Sequence, residues 1–372
     1  MKIVMASERF FPDLGGVEMF TARLAAALLE RGHEVALITS RDGLTACEED
    51  RWGAIPVHRL PFAATLHADD HAQVIALRRR LAELKRTLRP DVVHLNTSGA
   101  SLLFHLLTAR AAGAPSVLTV HWLPNRDGVD MRLCERALGA ADWIVAITHG
   151  GLRAALQRAP HIAERTSVIY NSLPPAAVPP VPLACAAPRL LCLGRLETQK
   201  GFDVALRALE TLRARFPAVR MTIAGDGAQR VHLEQLADAL GLADAVRFTG
   251  WITPDDVPDL INDHTLVVMP SRYEPFGLVA LHAGQMGRPL VASRIPGLSE
   301  VVRDGETGVL CAAEDAPAFA AAIASLIEQP AAAAEMGQRA RAHVRAAFSW
   351  DDHVTAYETL FRHVSRTAND GP

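Results

Sequence analysis

The sequence predicts an α/β fold of two domains, each a parallel sheet covered by helices on both faces. Three observations predict it. Short apolar runs alternate with helix-length amphipathic segments almost throughout the 372 residues. A proline-rich stretch near the middle breaks this rhythm, which then restarts. The length suits two cores of roughly 100–200 residues each.

In order along the chain, Lys2–Ala6 is a short apolar run and reads as a buried first strand rather than a signal peptide. Val17, Phe20, Leu24 and Leu28 recur at helical spacing, and Gly32 supplies a stop. Further strands are expected at Val35–Thr39, Val92–Leu95, Val117–Val120, Trp143–Ile147 and Val168–Tyr170. Ser172–Pro188 holds six prolines, which fix φ and remove donors, so it is neither helix nor central strand. The expected organisation is an N-terminal domain over 1–175, a linker over 176–188 and a C-terminal domain over 189–349. The second domain opens with a strand at Leu190–Leu193 and a helix at Phe202–Arg215. Then come Arg220–Ala224 (strand), Val231–Leu240 (helix), and strands at Val246–Thr249, Leu266–Met269 and Leu290–Ala292. Ser349–Val364 is amphipathic and helical.

Composition narrows the function. Lys and Arg number 38 against 41 Asp and Glu, a net charge of -3, so a nucleic-acid partner is not expected. Residues 1–180 carry 20 basic against 18 acidic side chains and the rest 18 against 23, a weak bias of the basic half toward anionic surfaces. Cys47, Cys134, Cys185, Cys192 and Cys311 are scattered, odd in number and lack a C-x-x-C pair, which argues against a disulfide framework and a zinc site. No run approaches about 18 apolar residues, so no transmembrane helix is expected and the cytoplasm is the default location.

Four segments carry candidate chemistry. Asp13-Leu14-Gly15-Gly16 lies between the first strand and helix. It either brings backbone close to an anionic ligand or makes a tight turn against the sheet; it is not the G-x-G-x-x-G fingerprint of a dinucleotide site. Gly194-Arg195-Leu196-Glu197-Thr198-Gln199-Lys200-Gly201 follows a strand and opens a helix. Arg195 offers a planar fork for phosphate oxygens and Lys200 a mobile point charge, unless both are ordinary surface charges. Ser271-Arg272-Tyr273-Glu274-Pro275-Phe276-Gly277-Leu278 places Glu274 in a loop. The helix that follows offers free N–H groups at Gly277 and Leu278, or Glu274 only adds about 0.3–1 kcal/mol to a helix start. His121, at a strand end in Thr119-Val120-His121-Trp122, either bonds a sugar hydroxyl or the acceptor, or is structural.

Together, and in this order, these segments resemble glycosyltransferase family 4, the retaining glycosyltransferases of GT-B fold. The resemblance spans essentially the whole chain and is most specific in GRLETQKG, IAGDG (Ile223–Gly227), VRFTG (Val246–Gly250) and PSRYEPFG. It implies two Rossmann-like domains with parallel sheets facing across a cleft, and a C-terminal helix at about 350–366 crossing back to the first domain. It also implies a donor that is a UDP- or GDP-linked sugar, with no tightly bound cofactor. By the resemblance, the loop at Gly15 and Gly16 approaches the donor phosphates or acceptor. Arg195 and Lys200 bind the diphosphate, backbone near Arg247 and Phe248 meets the base, Phe276, Gly277 and Leu278 border the donor, and Glu274 contacts the donor sugar, near which His121 lies.

One position departs from the family: His282 stands where the second Glu of its Glu-x(7)-Glu motif belongs. A neutral imidazole offers one acceptor nitrogen against a carboxylate's two oxygens. Either His282 still holds the ribose, or the pocket is tuned to another donor, or activity is lost.

The implied reaction cleaves the sugar–phosphate bond with retention. Arg195, Lys200 and the helix N–H groups receive the charge of the leaving diphosphate. No Asp-x-Asp signal stands at a strand end, Asp255 and Asp256 reading as a first helical turn, so no metal is expected. Closure about the linker would exclude water. The expected activity serves cell-surface polysaccharide or glycolipid synthesis on a carbohydrate or lipid-linked acceptor. A nucleotide-sugar epimerase of the same fold, or a degenerate sugar-nucleotide-binding protein, are the alternatives. The loops Leu123–Asp130 and Gly225–Gln229 are where sugar, base and acceptor choice would reside. Finally, His71–Arg89 interleaves Arg78, Arg79, Arg80, Lys85, Arg86 and Arg89 with Leu77, Leu81, Leu84 and Leu88. It is either a solvated outer helix or a peripheral contact with the inner face of the membrane.

Overall fold

The computed structural model describes all residues except 13–14, 42, 69, 97, 124–128, 184–186 and 370–372, and leaves the side chains of 129–130 and 368–369 undescribed. The chain divides into two compact units, Met1–Asn171 with Asp351–Pro372, and Ser172–Trp350.

The first unit holds eight strands: β1 (Lys2–Arg9), β2 (Glu34–Ser40), β3 (Glu48–Trp52), β4 (Ile55–Arg59), β5 (Val92–Asn96), β6 (Ser116–Val120), β7 (Trp143–Ala146) and β8 (Thr166–Val168). Their order across the sheet is β3-β4-β2-β1-β5-β6-β7-β8. All neighbours run parallel except β3 and β4. Strand β3 is absent from the sequence expectation because Glu48–Trp52 carries almost nothing apolar; it is an exposed edge, and charge suits an edge. Strand β4 is also absent from it, a short run broken by Pro56 whose Ile55 and Val57 are buried. The last strand lies at Thr166–Val168 rather than 168–170. The central strands β5 and β6 are buried along their whole length, as strands covered on both faces must be.

The second unit holds six parallel strands: β9 (Arg189–Leu193), β10 (Arg220–Ala224), β11 (Val246–Gly250), β12 (Leu266–Met269), β13 (Leu290–Ser293) and β14 (Val309–Cys311), in the order β11-β10-β9-β12-β13-β14. Its core joins Leu190, Cys192, Ile223 and Val268 of the sheet to Phe202, Leu206 and Leu209 of the helix Phe202–Arg213 and to Phe319 and Ile323 of Ala316–Glu328. Asp315 caps the latter, accepting from the Ala318 N–H at 2.9 Å. The proline-rich stretch lies along this unit. Asn262 Nδ2 donates to the Pro179 carbonyl at 2.9 Å, Val181 N–H donates to Asn262 Oδ1 at 3.2 Å, and the buried Arg288 donates to the Val181 carbonyl at 2.9 Å.

The C-terminal helix Trp350–Asn369 returns to the first unit. Arg31 bonds Asp351 and, at 2.9 Å, Glu358; His33 Nε2 meets the other Glu358 oxygen at 2.9 Å. Tyr357 and Phe361 of this helix are buried against His94 and Phe20.

The helix His71–Leu88 begins at Asp70, whose carboxylate accepts from the Ala72 N–H at 2.8 Å and the Gln73 N–H at 3.3 Å. Leu77 and Leu81 are buried and Leu84 and Leu88 pack against the same core, so its apolar face serves the fold. Arg78, Arg79, Arg80, Arg86 and Arg89 are exposed. Lys85, expected on the basic face, is buried instead. Its ammonium closes the end of the helix Gly99–Leu107 by donating to Thr108 Oγ1 at 3.0 Å and to the Thr108 carbonyl at 3.3 Å, and burial pushes its pKa down to about 7. Among the described residues no helix is long and apolar enough to cross a membrane.

Candidate functional site

In an open parallel sheet, ligands bind beyond the C-terminal ends of the strands where the winding reverses, because the loops there diverge and leave a crevice. In the second unit the chain winds from β9 out through β10 to β11, then restarts at β12 and winds the other way. The reversal lies between β9 and β12. The loop after β9 carries Arg195 and Lys200, and the loop after β12 carries Glu274. The topology therefore joins two motifs more than 70 residues apart in sequence.

They meet in an ion pair. Lys200 Nζ donates to Glu274 Oε2 at 2.6 Å, and the two side chains are only 19% and 11% exposed, so solvent screens the pair weakly. Two glycines make the approach possible. Gly201 has φ +65°, and a Cβ there would lie 2.0 Å from the Pro270 carbonyl oxygen; the β9 loop abuts the end of β12 only with hydrogen at this position. A Cβ on Gly297 would lie 2.1 Å from the Glu274 carbonyl oxygen, so the helix Pro296–Val301 rests directly on the backbone that carries Glu274. The two loops are stitched as well: Arg272 N–H and Tyr273 N–H both donate to the Gln199 carbonyl, at 2.8 and 3.3 Å.

Arg195 is exposed, and its side chain makes no hydrogen bond or ion pair with the described residues. Gly277 is the residue before the helix Leu278–Gln285, whose first N–H groups have no side-chain cap. His282 lies one turn into that helix and is partly buried. Arg247 is exposed on β11, at the sheet edge two strands from β9. Two aromatic rings beside the expected donor contacts turn to the core. Phe276 is 2% exposed and packs edge-on against Phe348, with centroids 5.9 Å apart; the ring belongs to the core beneath the loop. Phe248 also turns inward, onto the core, leaving only its backbone at the strand end. Asp255 and Asp256 precede the helix Val257–Asn262 rather than forming its first turn. Among the described residues no three His, Cys, Asp or Glu side chains gather as a metal site.

The first unit has the same kind of reversal, between β1 and β5. There Glu8 Oε2 accepts from the Ser101 N–H at 3.1 Å, in the first turn of Gly99–Leu107. A carboxylate of the chain itself occupies that helix start, where an anion would otherwise be favoured. Gly15 is extended at φ -153°, a conformation open to any residue, and precedes the helix Gly16–Glu30; Asp13 and Leu14 lie outside the described residues. His121 follows β6. Its ring meets Phe20 edge-on at 4.9 Å, its Nε2 is buried with no hydrogen-bond partner among the described residues, and burial together with nearby His353 pushes its pKa down to about 4. His353 is pushed to about 4 by burial, and fully buried His94 well below its ordinary range. His94 Nε2 bonds Thr119 Oγ1 at 2.8 Å, and Thr119 Oγ1 bonds the Tyr357 hydroxyl at 3.1 Å. This is an uncharged, aromatic environment in which His121 can donate or accept one hydrogen bond and carries no charge near neutral pH. Tyr357 and His353 were beyond the sequence reading, although the amphipathic C-terminal helix that carries them was legible; nothing in its pattern marks which residues face His121's neighbours.

Comparison with known proteins gives the family and the fold. A family model described as glycosyl transferases group 1 matches residues 184–343, and one described as glycosyltransferase family 4 matches residues 14–176. The glycogen synthase of Mycobacterium tuberculosis is 32% identical over 396 residues, covering 97% of this chain and 94% of that protein. A D-inositol 3-phosphate glycosyltransferase of Acidothermus cellulolyticus is 29% identical, covering 94% and 86%. Among solved structures, the sucrose-phosphate synthase of Thermosynechococcus elongatus superposes with a TM-score of 0.84 at 23% identity, over 99% of this chain and 100% of that one. HepE of Anabaena, in complex with UDP and glucose, superposes with a TM-score of 0.80 at 23% identity, over 100% of both chains.

Proposed function

The chain belongs to the group 1 glycosyltransferases of GT-B fold, and from that premise we propose that it transfers a sugar, with retention, from a nucleoside-diphosphate sugar to a carbohydrate acceptor in polysaccharide synthesis. The observation that carries this reading is the Lys200–Glu274 pair at the reversal between β9 and β12. It sets a cation for phosphate beside a carboxylate for sugar hydroxyls, which are the two chemistries a sugar diphosphate presents at its reacting bond.

In this reading the bond from the anomeric carbon to the diphosphate oxygen breaks and a bond to an acceptor oxygen forms on the same face. The acceptor proton passes to the departing phosphate. Arg195, Lys200 and the N–H groups of Gly277 and Leu278 receive the developing negative charge, a term commonly worth about 3–4 kcal/mol for a single donor. These cations take the role a metal fills elsewhere, so the reaction is metal-independent. Glu274 orients the donor sugar, and His282 holds the ribose through one nitrogen. The base lies over the ends of β10 and β11, near Arg247. UDP is the favoured carrier, since HepE is described with UDP and glucose, and the glycogen synthase relative favours a glucan-like acceptor. His121, on the first unit, serves as a neutral hydrogen-bonding group. Membrane contact is electrostatic, through the exposed arginines of His71–Leu88, because the leucines of that helix face the core.

A thermal-shift titration against UDP, GDP, ADP and their sugar conjugates, with NAD as control, tests the reading. A ligand of the folded state raises apparent stability by about RT ln(1+[L]/Kd). One nucleotide should stand out and Arg195→Ala should remove its shift. No shift with any nucleotide, restored by His282→Glu, would mean a degenerate transferase instead.

A further inference from the structure

Arg272 lies in the loop between β12 and Glu274 and is three-quarters shielded from solvent. A guanidinium has five N–H donors in a fixed plane, and here each is taken. Nε donates to Glu314 Oε1 at 2.5 Å. One terminal nitrogen donates to the Thr198 carbonyl at 2.7 Å and to Asp203 Oδ1 at 2.8 Å. The other donates to Asp203 Oδ2 at 2.8 Å and to Glu314 Oε2 at 3.0 Å. Two carboxylates are thus bound in bidentate fashion, the strongest and most directional form of such a contact.

The acceptors come from three other segments. Thr198 is in the phosphate-side loop, two residues before Lys200. Asp203 is in the first turn of Phe202–Arg213, two residues beyond Gly201. Glu314 leads from β14 into Ala316–Glu328 and has φ +67°, one of only two non-glycine residues of positive φ among those described. A left-handed backbone is unfavourable for a residue with a Cβ, and persists where surroundings hold it. The doubled hydrogen bond to Arg272 is such a hold.

We propose that Arg272 is a positioning residue of the donor site: its planar fork fixes the β9 loop, the β12 loop and the approach to Ala316–Glu328 as one rigid cradle, and so holds Lys200 and Glu274 at hydrogen-bond distance. The inference rests on the donor-site reading above for its catalytic consequence. Arg272 touches no reacting atom; it acts through Thr198 on one side of the pair and through its own loop on the other. A lysine cannot replace it, because one ammonium has three donors and no plane.

The test compares the full-length protein with Arg272→Lys, Arg272→Met and Glu314→Gly. Turnover of the UDP-sugar that shifts the thermal midpoint is split into kcat and KM, and hydrogen exchange of peptides covering 194–201 and 270–277 is followed alongside. Arg272→Lys is expected to fold and to lose about 10- to 100-fold in kcat/KM, most of it in kcat, since small displacements of a reacting geometry are costly. Both peptides should exchange faster together in Arg272→Lys and Arg272→Met. Glu314→Gly relieves the backbone and keeps the thermal midpoint, yet loses kcat, which a merely structural role would not produce. The proposal is overturned if folded Arg272→Lys keeps kcat and KM within twofold, or if the two peptides keep wild-type exchange in Arg272→Met. Should the wild type bind and turn over no sugar nucleotide, the donor-site reading falls, while the exchange comparison still decides whether the cradle exists.

Discussion

In the first unit the winding reverses between β1 and β5, and the carboxylate of Glu8 sits on the helix start beside that reversal. In the second it reverses between β9 and β12, and Lys200 and Arg195 stand there as cations. The same topology is therefore filled with opposite chemistry. At one end a carboxylate of the chain already takes the helix N–H, and the same unit buries the neutral His94, His121 and His353; the other end is built from an ion pair and an uncapped helix start. Topology supplies the crevice, and the side chains placed in it set its charge.

Removing the cation should break the second site most severely. Lys200→Met leaves Glu274 without its partner and, on the proposed reading, the diphosphate without its point charge, so kcat/KM should fall about 100- to 1000-fold in initial-rate assays. Next in size is Gly297→Ala, whose Cβ would meet the Glu274 carbonyl at 2.1 Å and push that loop away. A loss of about 10- to 100-fold in kcat/KM is expected, with the cation untouched; unchanged kinetics would show that the loop tolerates the shift.

The first unit should reveal itself through pH. His94, His121 and His353 all titrate below their ordinary value in the folded protein, so between pH 6.5 and about 4 the unfolded chain binds protons that the folded chain does not. The contribution of these histidines to stability is thus full above about pH 6.5 and falls as pH drops toward 4. A group moved from 6.5 to about 4 can contribute on the order of 3 kcal/mol. Denaturant unfolding at pH 7 and pH 5 checks this, and equal stability at both would contradict the neutral-histidine description. The smallest effect is expected from Tyr357→Phe, which removes only the Thr119 bond and should cost about 0.5–1.5 kcal/mol without changing kcat.

Much of this was legible in the sequence, and the exceptions have physical causes. Buried parallel strands announce themselves as apolar runs, so β5, β6, β10 and β12 are found nearly to the residue. The edge strand β3 is polar and gives no such signal, and its partner β4 is a five-residue run with a proline in it, Ile55 and Val57 buried. In the loop motifs, Lys200 and Glu274 could be named as candidates from residue type and position at strand ends. Phe276 and Phe248 could not be placed, because a ring next to a strand end can turn either to the core or to a ligand with no change in pattern. The Arg272 cradle was out of reach for another reason: its carboxylate partners are 69 and 42 residues away, and only the closed sheet brings them together.

The contrast between the two reversals is tested most directly by isothermal calorimetry of UDP on the wild type, Lys200→Met and Glu8→Gln. One site is expected, with an affinity that falls at least tenfold in Lys200→Met and stays within twofold in Glu8→Gln. A second binding event in Glu8→Gln, or wild-type affinity in Lys200→Met, would contradict it.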